Sequence, residues 1–262
     1  MAFETILFSV EEGVARLTLN RPDKLNSFNT AMHKEVREAL ARVASEGGRV
    51  LVLSGAGRGF CAGQDLGDRA VAPGGQGVDL GDSIETYYKP LVLALRNLPM
   101  PVVAAVNGVA AGAGANIALA CDLVIAARSA SFVQSFSKLG LVPDSGGTWF
   151  LPRLVGNARA LGLALLGEKL SAEQAAQWGL IWRCVEDGEF KQTVDSLAAQ
   201  LAQAPTRGLA RTKQSIYGSW ERSLEQQLVE ERDLQRELGR SQDYAEGVAA
   251  FIEKRAPKFT GE

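Results

Sequence analysis

Pro101-Val102-Val103-Ala104-Ala105-Val106-Asn107-Gly108-Val109-Ala110-Ala111-Gly112-Ala113-Gly114-Ala115-Asn116 is the stretch that decides how this chain folds. Val102 to Val106 is an unbroken apolar run without polar alternation, the pattern of a buried strand. Gly108 to Gly114 then leads into a helix over Ala113 to Ala120, rich in small residues. The first N–H groups of such a helix have no intrahelical acceptor and lie at the positive end of its dipole, so they favour an anionic oxygen. The competing reading is that the small residues only let the helix pack tightly on the sheet.

The same pattern recurs on both sides. Val50-Leu51-Val52-Leu53 reads as a second buried strand, ending in Ser54-Gly55-Ala56-Gly57-Arg58-Gly59 and continuing through Phe60-Cys61-Ala62-Gly63-Gln64-Asp65. Leu123 to Ala126 reads as a third, and a helix over Ser83 to Arg96 lies between the first two. The order β-α-β-α-β implies an α/β layered fold with crossover connections. Upstream, Ile6, Phe8 and Val10, then Ala15, Leu17 and Leu19, alternate about a Glu11-Glu12-Gly13 turn as a hairpin. Thr30 to Val43 has helical spacing. Gly67 to Asp82, rich in Gly, Pro and Asp, reads as a mobile loop. From Ser171 onward the pattern is helical, with Leu224, Leu228, Leu234 and Leu238 striping a helix that packs on the core or on another subunit.

Composition narrows the chemistry. The 262 residues carry a formal net charge of -2, which points neither to nucleic acid nor to a membrane surface. The apolar stretch from Pro101 to Ala120 is broken by Asn107 and glycines and does not read as a membrane span. The first residues lack the pattern of a signal peptide, so a cytoplasmic location is expected. Cys61, Cys121 and Cys184 form neither a disulfide framework nor, with the histidine, a metal site. His33 is the only histidine. It sits in His33-Lys34-Glu35-Val36-Arg37-Glu38 and reads as part of a solvated helix face, so a general base here is expected to be a carboxylate. A dinucleotide fingerprint fails, because after Gly112 and Gly114 the third glycine position holds Ile117. In Leu139-Gly140-Leu141-Val142-Pro143-Asp144-Ser145-Gly146-Gly147-Thr148, Asp144 is either the N-cap of the next helix or a carboxylate base. Tyr87, Tyr88 and Trp149 are candidates for an acyl pocket or for the core.

Five segments taken together resemble the enoyl-CoA hydratase/isomerase (crotonase) superfamily: Leu19-Asn20-Arg21-Pro22 with Leu25-Asn26-Ser27, Gly59 to Leu66, Ala105 to Gly114, Cys121-Asp122, and Leu139 to Pro143 with Gly146-Gly147-Thr148. The resemblance covers nearly the whole chain. It implies an α/β crotonase-like (ClpP/crotonase) spiral of ββα units over 1–199, holding the acyl-CoA site, with a C-terminal helical region over 200–262. It implies an oxyanion hole made by the N–H groups of Ala62 and Ala113, flanked by Gly63, Gln64, Asp65 and Gly112. By the same resemblance, Lys24 and Leu25 meet the adenine end of coenzyme A, and Lys254 or Lys258 meet its phosphates. Coenzyme A is then part of the substrate, with no separate cofactor and no metal. A homotrimer or dimer of trimers is implied, and association with another acyl-CoA enzyme is open.

The departures from the family pattern matter as much. Hydratases of the family carry two glutamates, and Asn116 and Phe136 stand in their places here. Asp144 matches the position where some family members place an acting aspartate. The expected chemistry is therefore isomerisation through an enolate, with Asp144 as base and Asn116 orienting substrate or a water. A narrower set of matches, including Phe136 to Asp144 and Gly239 to Tyr244, resembles the ring-epoxide isomerases of the family, which form an oxepin-CoA in phenylacetate catabolism and are linked to 3-enoyl- to 2-enoyl-CoA shifts. The alternatives are a Δ3-Δ2 isomerase or weak hydratase of fatty-acid breakdown, and a non-catalytic acyl-CoA-binding scaffold.

Overall fold

Strands β1 (Ile6–Glu11) and β2 (Val14–Leu19) pair antiparallel, with Ile6 opposite Leu19. The two residues between them, Glu12 and Gly13, both have positive φ (50° and 78°), the tight turn whose twist suits a hairpin. The computed structural model describes residues 3–69 and 79–262. Strands β3 (Val50–Gly55), β5 (Val102–Val106), β7 (Leu123–Ala127) and β10 (Arg183–Val185) extend the hairpin into a six-stranded sheet of order β1-β2-β3-β5-β7-β10. From β2 onward every pairing in that sheet is parallel. Short strands β4 (Gly59–Cys61), β6 (Val109–Ala111), β8 (Ser131–Val133) and β9 (Lys169–Ser171) form a second sheet of order β4-β6-β8-β9.

Strands β3, β5 and β7 of the large sheet are each followed by a short strand of the small one, and then by helical structure. The pairs β3/β4, β5/β6 and β7/β8 are thus successive turns of a ββα spiral. The helices in chain order are α1 (Thr30–Arg42), α2 (Leu80–Ser83), α3 (Lys89–Asn97), α4 (Ala113–Ala120), α5 (Gly147–Leu166), α6 (Ala172–Gln177), α7 (Asp187–Ala202), α8 (Thr206–Gly218), α9 (Leu224–Leu238) and α10 (Gln242–Glu253). A π-helical turn, Ile84–Tyr88, joins α2 to α3. The stretch expected to be a loop, Gly67 to Asp82, falls largely at 70–78, outside the described residues. Its end is helical instead: Leu80 opens α2, and the Asp79 side chain accepts the Gly81 and Asp82 N–H groups. Among the described residues no helix is long and apolar enough to cross a membrane.

Helix α4 is buried along its whole length. A Cβ on Gly114 would lie 2.3 Å from the Cys61 carbonyl oxygen, so only glycine lets this helix lie against β4. The tight-packing reading of the glycine turn therefore holds for Gly114.

One expectation is corrected by packing. His33 is 4% exposed rather than solvated. Its ring lies 4.6 Å from those of Phe28 and Tyr88 and 5.0 Å from that of Tyr87. The charged neighbours Lys34, Glu35, Arg37 and Glu38 concealed that His33 lies one helical turn before Val36, on the side that meets the aromatic residues. Helix α7, most of which lies within the expected core of 1–199, packs Val194, Ala198 and Ala202 with Val50, Val52, Val103 and Ile125 on one face of the large sheet. Helix α7 therefore belongs to the core.

Helix α8 is fixed to that core by a buried ion pair. The Lys213 ammonium lies 2.9 Å from the Asp122 carboxylate, with side chains 7% and 14% exposed. It also donates to the Leu95 and Met100 carbonyls at 3.2 and 3.1 Å. Tyr217 donates its hydroxyl to the same carboxylate, and the Arg96 guanidinium lies 3.0 Å from the Tyr217 ring centroid. Burial pushes the Lys213 pKa down while Asp122 opposes the shift. Helix α9, in contrast, buries none of its residues, and Leu224 and Leu228 of its stripe are exposed.

Lys213→Met leaves the Asp122 charge without its ion pair. It is expected to lower unfolding free energy by about 3–5 kcal/mol, read as a lower urea midpoint. The double variant with Asp122→Asn is expected to recover part of that loss.

Candidate active site

The C-terminal ends of parallel strands β3 and β5 deliver the two glycine turns side by side. Asn107 ties them together: its side-chain oxygen accepts the Gly55 N–H at 3.2 Å and its amide donates to the Gly57 carbonyl at 3.0 Å. The turn over residues 21–27 is fastened to the same place. Buried Asn26 donates to the Ala56 and Gly59 carbonyls at 2.9 and 2.8 Å. Arg21 binds the Asp65 carboxylate at 2.9 Å. That hydrogen bond holds the Asp65 pKa below the usual carboxylate range, against the effect of burial. Asp65 also accepts the Gly67 N–H at 3.0 Å, so its carboxylate is committed to holding the loop.

After β4 the chain runs beside Phe28 as a parallel bridge. Phe28 donates to the Gly63 carbonyl at 2.7 Å and accepts the Asp65 N–H at 2.9 Å. In that geometry the intervening residue, Gln64, turns its own N–H and C=O to the other side. Gly63 has φ +91°, and a Cβ there would lie 3.0 Å from the Ala111 oxygen and 3.2 Å from the Ala113 nitrogen. The Gln64 nitrogen, bonded to Gly63, and the Ala113 nitrogen are therefore neighbours, and among the described residues no acceptor takes either N–H.

This corrects the expected donor at the first turn. The Ala62 N–H is already given to the Leu25 carbonyl at 2.9 Å, so the available N–H is that of Gln64, two residues on. The Gln64 side chain is pinned as well: its oxygen accepts the hydroxyl of fully buried Tyr88 at 2.9 Å. Tyr88 is thus core and support rather than pocket wall. Cys61, beside this turn, is no nucleophile. Its thiol is pushed up to about 12 by burial, partly offset by the Gly63 N–H, and it donates to the Asn26 carbonyl.

Asp144 precedes α5 in an unusual backbone. Ser145 and Gly146 both lie in the left-handed region, with φ 51° and 84°. The N-cap of α5 is Gly146, and no side chain caps it, so the N-cap reading of Asp144 does not hold. The Asp144 carboxylate accepts the Ser145 hydroxyl at 2.9 Å. Its backbone carbonyl accepts the Gly147 N–H and the Asn116 side-chain amide, each at 2.8 Å.

Asn116 is fully buried, and its other polar end, Oδ1, accepts from Gln134 at 2.8 Å. It was expected to orient substrate or a water. The structure instead places it against the Asp144 backbone, as support. A Cβ on Gly147 would lie 2.4 Å from the Asn116 amide nitrogen, so this contact leaves no slack. Phe136 is buried near Gly112, the residue that precedes α4. Helix α4 therefore carries a free N–H at Ala113 and, one turn later, the group that anchors Asp144.

Lys24 is exposed at the end of the Pro22–Lys24 turn, and Leu25 follows with φ 48°. Lys254 and Lys258 are not brought to it. Arg49, which leads into β3, holds the Phe259 and Ala204 carbonyls at 3.1 and 2.7 Å. The C-terminal segment is thus tied to the N-terminal end of β3, away from the end that bears Lys24 and the glycine turns. Sequence reasoning missed Ser145, Gln134 and the Gln64 N–H. Only Ser145 carried a signal, its place beside Asp144.

Gly63→Ala would place a methyl beside the Ala113 N–H in a backbone conformation that alanine disfavours. It is expected to lower thioester turnover by about 10²–10³, the loss typical of one oxyanion donor, while circular dichroism shows the fold retained.

The family model described as enoyl-CoA hydratase/isomerase matches residues 9–262. The 1,2-epoxyphenylacetyl-CoA isomerase of Escherichia coli (strain K12) is 59% identical over 260 residues, covering 99% of each chain. The trans-2-decenoyl-[acyl-carrier-protein] isomerase of Streptococcus mutans is 35% identical, covering 100% of each. The crystal structure of an enoyl-CoA hydratase from Bacillus anthracis superposes with a TM-score of 0.90 at 32% identity, covering 99% of this chain and 100% of that one. By sequence and by fold, the chain belongs to the enoyl-CoA hydratase/isomerase family.

Proposed function

We propose that this protein is an acyl-CoA isomerase that converts ring-1,2-epoxyphenylacetyl-CoA to oxepin-CoA in phenylacetate catabolism, and that the same site moves a 3-enoyl double bond to the 2-position. The carrying observation is a single oriented carboxylate, Asp144, tied through Asn116 to the helix whose first N–H, at Ala113, neighbours that of Gln64. The 59% identity to a relative named for the epoxide reaction supports the choice of substrate.

The thioester oxygen sits between the N–H groups of Gln64 and Ala113. Asp144 takes a proton from the carbon next to the carbonyl, and the negative charge collects on the held oxygen. Each donor stabilises that charge by roughly 3–4 kcal/mol. The oxirane C–C bond opens while both C–O bonds are kept, so the oxygen becomes a member of the seven-membered ring. The enolate electrons are drawn on to the ring carbon γ to the carbonyl, where the proton is returned. Asp144 gives its proton back, so the formula is unchanged. For a linear 3-enoyl thioester the same base takes the α-proton and returns it at the γ-carbon.

Hydration needs a second carboxylate to activate water. Where the family's hydratases have glutamates, this chain has Asn116, already engaged, and the apolar Phe136. Lys24 meets the phosphate-bearing end of coenzyme A, and no further cofactor takes part. The exposed stripe of α9 is the contact of a homotrimer or dimer of trimers in the cytoplasm.

Asp144→Asn is expected to lower kcat by on the order of 10²–10⁴, the usual worth of a general base, with KM little changed on both the epoxide and 3-enoyl-CoA substrates. Near-normal turnover would show that Asp144 is not the base. A chain-length series of 3-enoyl thioesters, run against the aromatic epoxide, is expected to favour the epoxide. The opposite preference would assign the protein to linear acyl chains.

A further inference from the structure

We propose that Gln134 is a positioning residue for the Asp144 base, acting through the side-chain amide of Asn116. This rests on Asp144 being the base. Gln134 follows β8 directly and is 3% exposed. Its Nε2 donates to Asn116 Oδ1 at 2.8 Å, and Asn116 Nδ2 donates to the Asp144 carbonyl at 2.8 Å.

An asparagine amide has two orientations of nearly the same shape, with donor and acceptor exchanged. Only one of them offers an N–H to the Asp144 carbonyl. The Asp144 carbonyl, which can only accept, favours that orientation, and Gln134 reinforces it by donating to the Asn116 oxygen on the opposite side. The Asn116 amide is confined on the α5 side too, since it fills the space a Cβ on Gly147 would need.

The support is needed because the backbone at Asp144 is costly. Ser145 and Gly146 are consecutive left-handed residues, and a non-glycine residue in that region persists only when its surroundings hold it. Two hydrogen bonds hold the Asp144 carbonyl, from the Gly147 N–H and from Asn116. The first is local to the turn. The second ties the turn to α4 and hence to the proposed thioester donors. Residue 133 braces the same region from the other side, as the Val133 carbonyl accepts the Gly112 N–H at 2.8 Å.

Gln134 is also an expensive residue to keep for stability alone. Its Oε1 is buried with no hydrogen-bond partner among the described residues. A buried acceptor left unsatisfied calls for an explanation beyond packing, and setting the Asn116 amide supplies one.

Two variants test the assignment, each measured in the wild-type and Asp144→Asn backgrounds. Gln134→Glu, which differs by one group, puts acceptors against Asn116. The amide then turns, and its oxygen faces the Asp144 carbonyl. Gln134→Met removes the donor at similar volume. Both are expected to lower kcat by about 10–100-fold, the scale set by a displacement near 1 Å, with Gln134→Glu the more severe and KM nearly unchanged. In the Asp144→Asn background neither is expected to lower the residual rate further. An unchanged kcat in Gln134→Glu overturns the proposal, as does an equal loss in both backgrounds or a loss confined to KM. Gln134→Glu carries the test if the methionine variant does not fold. If Asp144→Asn alone is nearly as active as wild type, the base assignment has failed instead, and that outcome is read separately from the Gln134 variants.

Discussion

Gly114 of α4 lies against the Cys61 carbonyl so closely that a Cβ would come within 2.3 Å of that oxygen. That contact sets the position of everything chemical in the molecule. It draws the N-terminus of α4 onto the strand leaving β4, so that the Ala113 N–H lies next to the Gly63-Gln64 segment. One helical turn later the same α4 presents Asn116 to the Asp144 turn. A helix of small residues, buried on every side, is well suited to this. It is buried along its whole length, and the close packing of a protein interior resists displacement. The Ala113 N–H and the Asp144 turn are thereby referred to one rigid element, which is what a preorganised site requires.

The large sheet was legible because β3, β5 and β7 are runs of consecutive buried apolar residues, a pattern that survives without knowledge of their neighbours. The small sheet was not. Gly59–Cys61, Val109–Ala111 and Ser131–Val133 are three residues each, too short for any period, and they are strands only because they pair with one another. The helical character of the C-terminal part was legible, but what each helix packs against was not: α7 lies on the large sheet, whereas α9 buries none of its residues. His33 was misread for a related reason: four charged neighbours on one helix say little about the one face that meets Phe28, Tyr87 and Tyr88.

The site divides in the same way. Ala113 was readable because a helix's first N–H is free by construction. The other N–H was misplaced by two residues, because which amide of Ala62-Gly63-Gln64 is free depends on the partners supplied by Leu25 and Phe28. No local pattern encodes a bridge to a residue more than thirty positions away. Asp144 stood out as the surviving carboxylate, whereas Gln134 gave no signal at all. Its role is a hydrogen bond to a side chain on another element.

The substitutions at the two hydratase positions now have different physical meanings. Phe136 replaces a carboxylate with an apolar ring beside Gly112 and so removes a group able to activate water. Asn116 does more than remove a charge. A glutamate there would present acceptors to the Asp144 carbonyl, which is itself an acceptor, and the hydrogen bond that fixes the turn would be lost unless the acid were protonated. Asparagine supplies the N–H that this carbonyl needs, while its oxygen accepts from Gln134. The loss of one carboxylate and the placement of another are therefore linked in one hydrogen-bonded chain. In the proposed reaction such a site would hold an enolate against two N–H groups and offer it a single carboxylate through which protons come and go, which favours moving a double bond or opening a strained ring over adding water.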